Sequence, residues 1–213
     1  FYSITQNHTI EAQFAINTYT ITSSVVGNGA ITPSGVTSVN HGSNQSYAWS
    51  ADPSYHFSNL LVDGLHQDST SSYTFYNITQ NHTIEASFAI NTYTLTVNAV
   101  NGTVTKSPDQ ATYNHGTSVQ LTAVPSTGYH FVDWTGAITG STNPVTVSVD
   151  SNMTITANFA INTYTLTVNA VNGTVTKSPD QPTYDHGTSV QLTAVPSTGY
   201  HFVNWIGAIT GST

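Results

Sequence analysis

The sequence predicts an all-β protein, a tandem array of small domains, each of six short strands folded as a sandwich or open barrel. Three observations carry this. Residues 91–110 recur letter for letter at 162–181. Within each copy the apolar residues alternate with period two, and no segment keeps a helical period beyond one turn. Gly, Pro and Asn-Gly punctuate the alternating runs at short intervals.

The repeat sets the domain organisation. Residues 90–142 and 161–213 differ only at Ala111/Pro182, Asn114/Asp185, Asp133/Asn204 and Thr135/Ile206. A degenerate copy begins at Ile16. Residues 1–15 match 75–89 everywhere except Ser3/Asn77 and Gln13/Ser87. The expected layout is therefore a terminal strand pair of a preceding repeat at 1–15, a first repeat at 16–89, a second at 90–160 and a third at 161–213. The third lacks the counterpart of 143–160, its last two strands. Residues 160–162 join two repeats without a Gly/Pro-rich linker, so a stiff array with nearest-neighbour contacts is expected.

The second repeat shows the elements in order. Tyr93, Leu95, Val97 and Ala99 alternate with Thr92, Thr94, Thr96 and Asn98 as strand one. Asn101-Gly102 predicts a type I′ hairpin, which needs positive φ at both central residues. Residues 103–106 return as strand two, ended by Ser107-Pro108-Asp109. His115-Gly116 is a second turn. Val119, Leu121 and Ala123 make strand three, closed by Pro125, and 129–134 make strand four. Val145, Val147 and Val149 alternate as strand five. The turn at 150–152 leads into Met153, Ile155, Ala157 and Phe159, strand six.

Composition narrows the function classes. Hydrophobic residues are 38% of the chain, enough to fold, whereas charged residues are only 6%. Ordinary domains carry about 25% charged residues, so the polar surface here must be Thr, Ser, Asn and Gln, as in many exported proteins. Two Lys and no Arg stand against ten acids, a net charge of −8. That excludes a basic patch for nucleic acid or an anionic membrane. With no cysteine, disulfides, thiolate metal sites and thiol catalysis are excluded. There is no apolar run long enough to span a bilayer and no signal peptide. The chain reads as a mature or excised piece of something longer.

One family carries the same residues in the same order. The run 119–134 (VQLTAVPSTGYHFVDW), preceded by YTLTV…NGTVT and followed by MTITANF, resembles the divergent internalin-B-type B-repeat of bacterial and archaeal surface proteins. The first repeat is similar to another version of it, with Tyr55-His56-Phe57, Val62-Asp63-Gly64 and Asn81-His82-Thr83-Ile84. The resemblance covers essentially the whole chain. It implies a small β-rich extracellular module, related to β-grasp folds, in adhesins or surface scaffolds, and brings no catalytic residues with it.

The candidate chemistry is thin. His41, His115 and His186 precede turn glycines, and His56, His130 and His201 recur in the Tyr-His-Phe run; turn hydrogen bonding and strand packing account for them better than a metal site. Asp109, Asp133, Asp150 and Asp180 are scattered and form no calcium loop. Asp133 is replaced by Asn204 in the next copy, which a catalytic acid would not tolerate, so no catalytic, metal or cofactor residue is assigned. Lys106 and Lys177 raise the idea of a Lys–Asn isopeptide bond, against a plain solvated strand-end Lys. Trp134 and Trp205 are candidate glycan-stacking residues, although alternating aromatics usually belong to the core; Trp49, aligned with Leu121, supports the core reading. Candidate glycosylation sequons lie at Asn7, Asn44, Asn77, Asn81, Asn101, Asn152 and Asn172.

Strand count suggests a partner. Residues 1–15 hold a strand pair without a domain, and the third repeat is a domain without that pair. Strand capture from another copy is therefore expected, with Ile4, Ile10, Ala12 and Phe14 as candidate donor residues placed like Val149, Ile155, Ala157 and Phe159. A continuous, longer repeat chain is the competing account. Both give an extracellular filament, fibre or stalk, a non-enzymatic structural role with copies of the chain as partners. The alternative is a cell-surface adhesin module that binds a glycan or a protein receptor, and a weaker third is an accessory domain of an enzyme.

Overall fold

The computed structural model describes residues 3–69 and 71–209. Every regular element among them is a β-strand, and the chain divides into two compact units, residues 1–92 and 93–213.

The first unit holds one complete domain. Its strands are β1 (Thr18–Val26), β2 (Gly29–Thr32), β3 (Gly35–Asn40), β4 (Gln45–Ala51), β5 (Tyr55–Val62), β6 (Leu65–His66), β7 (Ser72–Phe75) and β8 (His82–Ile90). They form two sheets, ordered β3-β1-β8-β5-β6 and β2-β4-β7. The last strand is a central one: β8 runs parallel to β1 and antiparallel to β5. Its inward residues Ile84, Ala86 and Phe88 are buried with Ile21, Leu60 and Trp49 in the core between the sheets. Burying an Ile or Phe side chain stabilises by roughly 1.5–3 kcal/mol, so β8 anchors both neighbours through packing as well as hydrogen bonds. Asp63 and Gly64, both at positive φ, form the two-residue hairpin between β5 and β6.

Strand β9 (Thr92–Tyr93) leads into the second unit. There the complete domain repeats the plan with β10 (Leu95–Ala99), β11 (Gly102–Ser107), β12 (Tyr113–Asn114), β13 (Thr117–Pro125), β14 (Tyr129–Gly136), β15 (Val145–Val149) and β16 (Met153–Ile161). The sheets are β10-β16-β14 and β11-β13-β15, with β16 parallel to β10 and antiparallel to β14. These are the six strands the alternation predicts, and Tyr113, Leu121, Trp134 and Ile155 sit in one core between them.

Two expectations are corrected here. Asn101-Gly102 is no hairpin turn: β10 and β11 belong to different sheets, and only Asn101 has positive φ, at 64°. The pair turns the chain from one sheet to the other. Gly102 is required for a different reason, since a Cβ there would lie 2.5 Å from the Phe159 ring. Gly29 makes the same close approach to Phe88. Nor does Trp49 occupy the place of Leu121. Gly29 pairs with Ala51 as Gly102 pairs with Pro125, which sets Trp49 at Ala123 and Tyr47 at Leu121. Repeat one thus takes its indole from β4 and a leucine, Leu60, from β5; repeat two takes an alanine from β13 and its indole, Trp134, from β14. The same bulk enters the core from opposite sheets.

The remaining strands are β17 (Thr163–Tyr164), β18 (Gly173–Ser178), β19 (Tyr184–Asp185) and β20 (Gln191–Pro196), paired β17–β19 and β18–β20. Residues 166–170 and 200–204 form no strand, although their near-copies are β10 and most of β14. Both of those strands draw their ladder partner from β16. Residues 188–190 likewise lie outside β20, whereas their copies 117–119 are held in β13 by β15. Each lost strand is one whose ladder partner lies in 143–161, and β18 and β20, which pair with each other, persist.

Candidate functional site

The third repeat exposes what the second buries. Tyr164, Leu166, Val168, Gly173, Phe202 and Trp205 line an open cleft of about 1060 Å³. Leu166, Val190, Leu192 and Trp205 are each half-buried, and their counterparts Leu95, Val119, Leu121 and Trp134 are buried. The cleft runs along the line a strand like β16 occupies, between residues 166–170 and 200–207. At Gly102 the atoms nearest to an added Cβ belong to the Phe159 ring, whereas at Gly173 they are backbone atoms of Val195 and Pro196.

The sequence-predicted donor residues have the complementary condition. Ile4, Ile10 and Phe14 are 74%, 77% and 95% exposed, and Ala12 is exposed as well. Their near-copies Ile78, Ile84, Ala86 and Phe88 are all buried. Residues 3–15 form no strand, while the equivalent stretch supplies β8.

The other candidates resolve into framework contacts. Trp134 is 1% exposed, and its Nε1 donates to the Thr142 carbonyl at 2.8 Å. A fully covered ring offers no stacking face, so Trp134 is corrected from a glycan platform to core. Trp205 is half-buried in the cleft and packs on Phe202 at 5.1 Å between ring centroids. Lys106 Nζ lies 2.9 Å from Asp109 Oδ1, and Lys177 repeats this with Asp180 at 2.9 Å. The Asp carboxylate beside each ammonium holds it above the usual lysine range. These amines are ion-paired to Asp, and each lies over a tyrosine ring.

The histidines have two structural uses. His56 Nδ1 donates to Asn91 Oδ1 at 2.8 Å, and His130 Nδ1 to Asn162 Oδ1 at 2.8 Å. The Tyr-His-Phe histidine therefore fastens the Asn that begins the next repeat. Before the turn glycines, His41, His115 and His186 lie against Tyr19, Tyr93 and Tyr164. His82 and the Thr83 amide bind Asp63 at 2.7 and 2.8 Å. Burial acts to raise the Asp63 carboxyl, but these hydrogen bonds outweigh it and hold the group below the usual carboxylate range. Among the described residues, no three His, Asp or Glu side chains converge as metal ligands would.

The sequons divide by what their Asn does. Asn81 Oδ1 accepts from the Thr20 amide and Asn152 Oδ1 from the Thr94 amide, both at 2.9 Å, so each clamps the start of a repeat's first strand. Asn44 Oδ1 accepts from the Asn77 amide. Asn101 and Asn172 are exposed at positive φ, and Asn7 and Asn77 are exposed. The clamp role went unread in the sequence, though the recurrence of Asn at 7, 81 and 152 was its signal. Asn143 gave no such signal. Its carboxamide bonds both the N–H and the C=O of Ala123, at 2.9 and 2.8 Å.

A family model described as the divergent InlB B-repeat domain matches residues 19–92, 93–163 and 164–213. Among solved structures, the Bacillus anthracis TIE protein is similar at 7% identity and a TM-score of 0.37, over 85% of this chain and 43% of that one. This chain spans less than half the length of that protein. No curated protein matches.

Proposed function

This chain belongs to the divergent InlB B-repeat family, and from that premise we propose that it is a non-enzymatic structural protein of the cell exterior, a stalk or filament to which each repeat adds length. One observation carries the reading. Outside four positions, residues 161–213 repeat 90–142 without change, surface included. A chain selected to bind several ligands diversifies its surfaces, whereas a spacer asks the same of every unit. The family's association with bacterial surface proteins supports the exterior location. The low charge and Thr/Asn-rich surface suit it too. Head-to-tail contact between copies of the chain is part of the proposal, since a contact between unlike surfaces propagates into a filament unless its rotation closes a ring.

The adhesin alternative needs an exposed recognition face, and burial of Trp134 removes the aromatic platform of repeat two. Immunogold labelling of intact source cells, with antibody raised against repeat two, tests the reading. Label along fibres outside the cell is expected. Label that appears only after permeabilisation overturns it.

A further inference from the structure

We propose that Asn101 is an N-glycan acceptor, its carboxamide nitrogen taking an oligosaccharide from a polyprenyl-pyrophosphate donor. This rests on the exterior location proposed above, where such transfer takes place, and names a modification of that surface. In the transfer Asn101 Nδ2 forms a bond to C1 of the first sugar. The bond from C1 to the pyrophosphate oxygen breaks, the lipid pyrophosphate leaves, and one amide proton goes to solvent. The acceptor needs Ser or Thr two residues on, and a transferase must be able to grip the three residues from outside the fold.

The two complete domains hold five sequons, at Asn44, Asn77, Asn81, Asn101 and Asn152, and the structure separates one from the other four. Asn44 Oδ1 accepts from the Asn77 amide, and the hydroxyl of that sequon, Ser46 Oγ, bonds Thr74 Oγ1 at 2.8 Å. Asn77 is followed by Ile78, which is buried in the core, so its sequon is pinned through the middle. Asn81 and Asn152 clamp the Thr20 and Thr94 amides. Asn101 has none of these restraints. It is exposed at the corner between the sheets, Gly102 adds no side chain, and Thr103 stands on the exposed face of β11. The Ser126 amide fixes the Asn101 carbonyl at 3.0 Å, while no such bond holds the Asn101 carboxamide among the described residues.

The surroundings of the corner change with the sequon. Repeat one turns the same corner with Asn28-Gly29-Ala30, a methyl group where the acceptor hydroxyl would be. Thr103 pairs with Val124, which is 46% exposed, whereas Ala30 pairs with Ser50. Repeat three has the sequon and the valine together again, with Thr174 paired to Val195 and Asn172 at a φ of 58°. Val100, beside the acceptor, is 75% exposed. Exposed aliphatic groups next to an acceptor are surface that the apolar face of a sugar ring can cover. A chain with 6% charged residues also has little charge to keep its surfaces apart, and a bulky hydrophilic group supplies that separation.

Peptide mass spectrometry of the full chain expressed in its source cells tests this. Lys106 and Lys177 are its only basic cleavage points, so trypsin separates Asn101 from its near-identical counterpart Asn172. The peptide ending at Lys106 is treated with a peptide amidase in heavy-oxygen water, which releases an N-glycan and leaves a labelled Asp. The expected result is a labelled Asp at 101 that does not form when the amidase is omitted. That control separates release of a glycan from spontaneous deamidation of Asn-Gly. Thr103→Val keeps a β-branched side chain on an exposed strand face and removes the hydroxyl, so it is expected to abolish the label. Thr103→Ser is expected to retain it.

Asn101 recovered unlabelled from the wild-type chain overturns the proposal. So does a sugar carried on Thr103, which the amidase leaves in place, and so does a label at 101 that survives Thr103→Val. A chain that immunogold places on fibres outside the cell, with Asn101 unlabelled, keeps the structural function and loses only the glycan.

Discussion

The substitutions Trp134→Leu and Ala123→Trp, made singly and together, test whether one indole per core is the packing rule that both complete repeats obey. Trp134 is 1% exposed, and its Nε1 donates to Thr142 O. Replacing it by Leu leaves a cavity in a core without slack, about 3 kcal/mol by comparison with other large-to-small changes. It also leaves the Thr142 carbonyl without its donor, about 1 kcal/mol more. Ala123→Trp alone forces a second indole into the same filled space, at about 3 kcal/mol of overpacking. The double variant restores the volume distribution of repeat one, in which β4 carries Trp49 and β5 carries Leu60. Its expected loss is about 2 kcal/mol, the residue of imperfect repacking and the unpaired carbonyl. The singles should therefore be strongly non-additive, well beyond the roughly 0.5 kcal/mol scatter of independent sites. Native-state amide exchange in β16 reads the effect cleanly, because the sequence of that strand occurs once in the chain. Additive losses in the double variant would refute the interchange of bulk between the sheets.

Four further outcomes follow from the same contacts. Trp49 Nε1 is buried without a partner, so Trp49→Phe should lower the stability of repeat one by less than Trp134→Phe lowers that of repeat two, by about 1 kcal/mol in urea titrations. Asn143→Ala removes both bonds to Ala123 and should cost about 2 kcal/mol, seen as faster exchange of the amides of β15, which pairs with β13. Asn152→Ala removes the clamp on Thr94 and should cost about 1 kcal/mol in the same assay. The folded Asp63 carboxyl lies below its ordinary value. Its contribution is therefore present above the unfolded pKa and is lost as pH falls through the folded value; Asp63→Asn should flatten the acid limb of repeat one's stability curve and leave stability above pH 7 with a constant offset.

The framework of the fold was legible because period-two alternation is a local property. Val145, Val147 and Val149, and Ile155, Ala157 and Phe159, read as one-faced strands, and the structure buries or half-buries each on that face. The partition of strands into sheets was not local. Asn101-Gly102 carries a strong hairpin signature, yet the chain uses it as a corner, because β10 must reach β16 and β11 must reach β13. The glycine's reason lay 57 residues away in sequence, in the ring of Phe159. Side-chain clamps such as Asn152 to Thr94 were hidden for the same cause: only pairing of β10 with β16 brings them together.

The two copies of residues 91–110 isolate that cause better than any substitution. In the first copy 95–99 are a strand; in the second, 166–170 are not. Propensity, turn chemistry and hydrophobic pattern are identical, so none of them decides the outcome. What differs is β16, which supplies a ladder of backbone hydrogen bonds and three inward side chains at once. A strand with one unpaired edge and one exposed face gains too little to offset the ordering of its backbone, about 1–2 kcal/mol per residue. Neither the segment 166–170 nor the segment 200–204 forms a strand, as their copies β10 and β14 both pair with β16, while β18 and β20, which need only each other, persist. The folding unit is therefore one whose first strand waits for its last, since β10 has its ladder partner in β16.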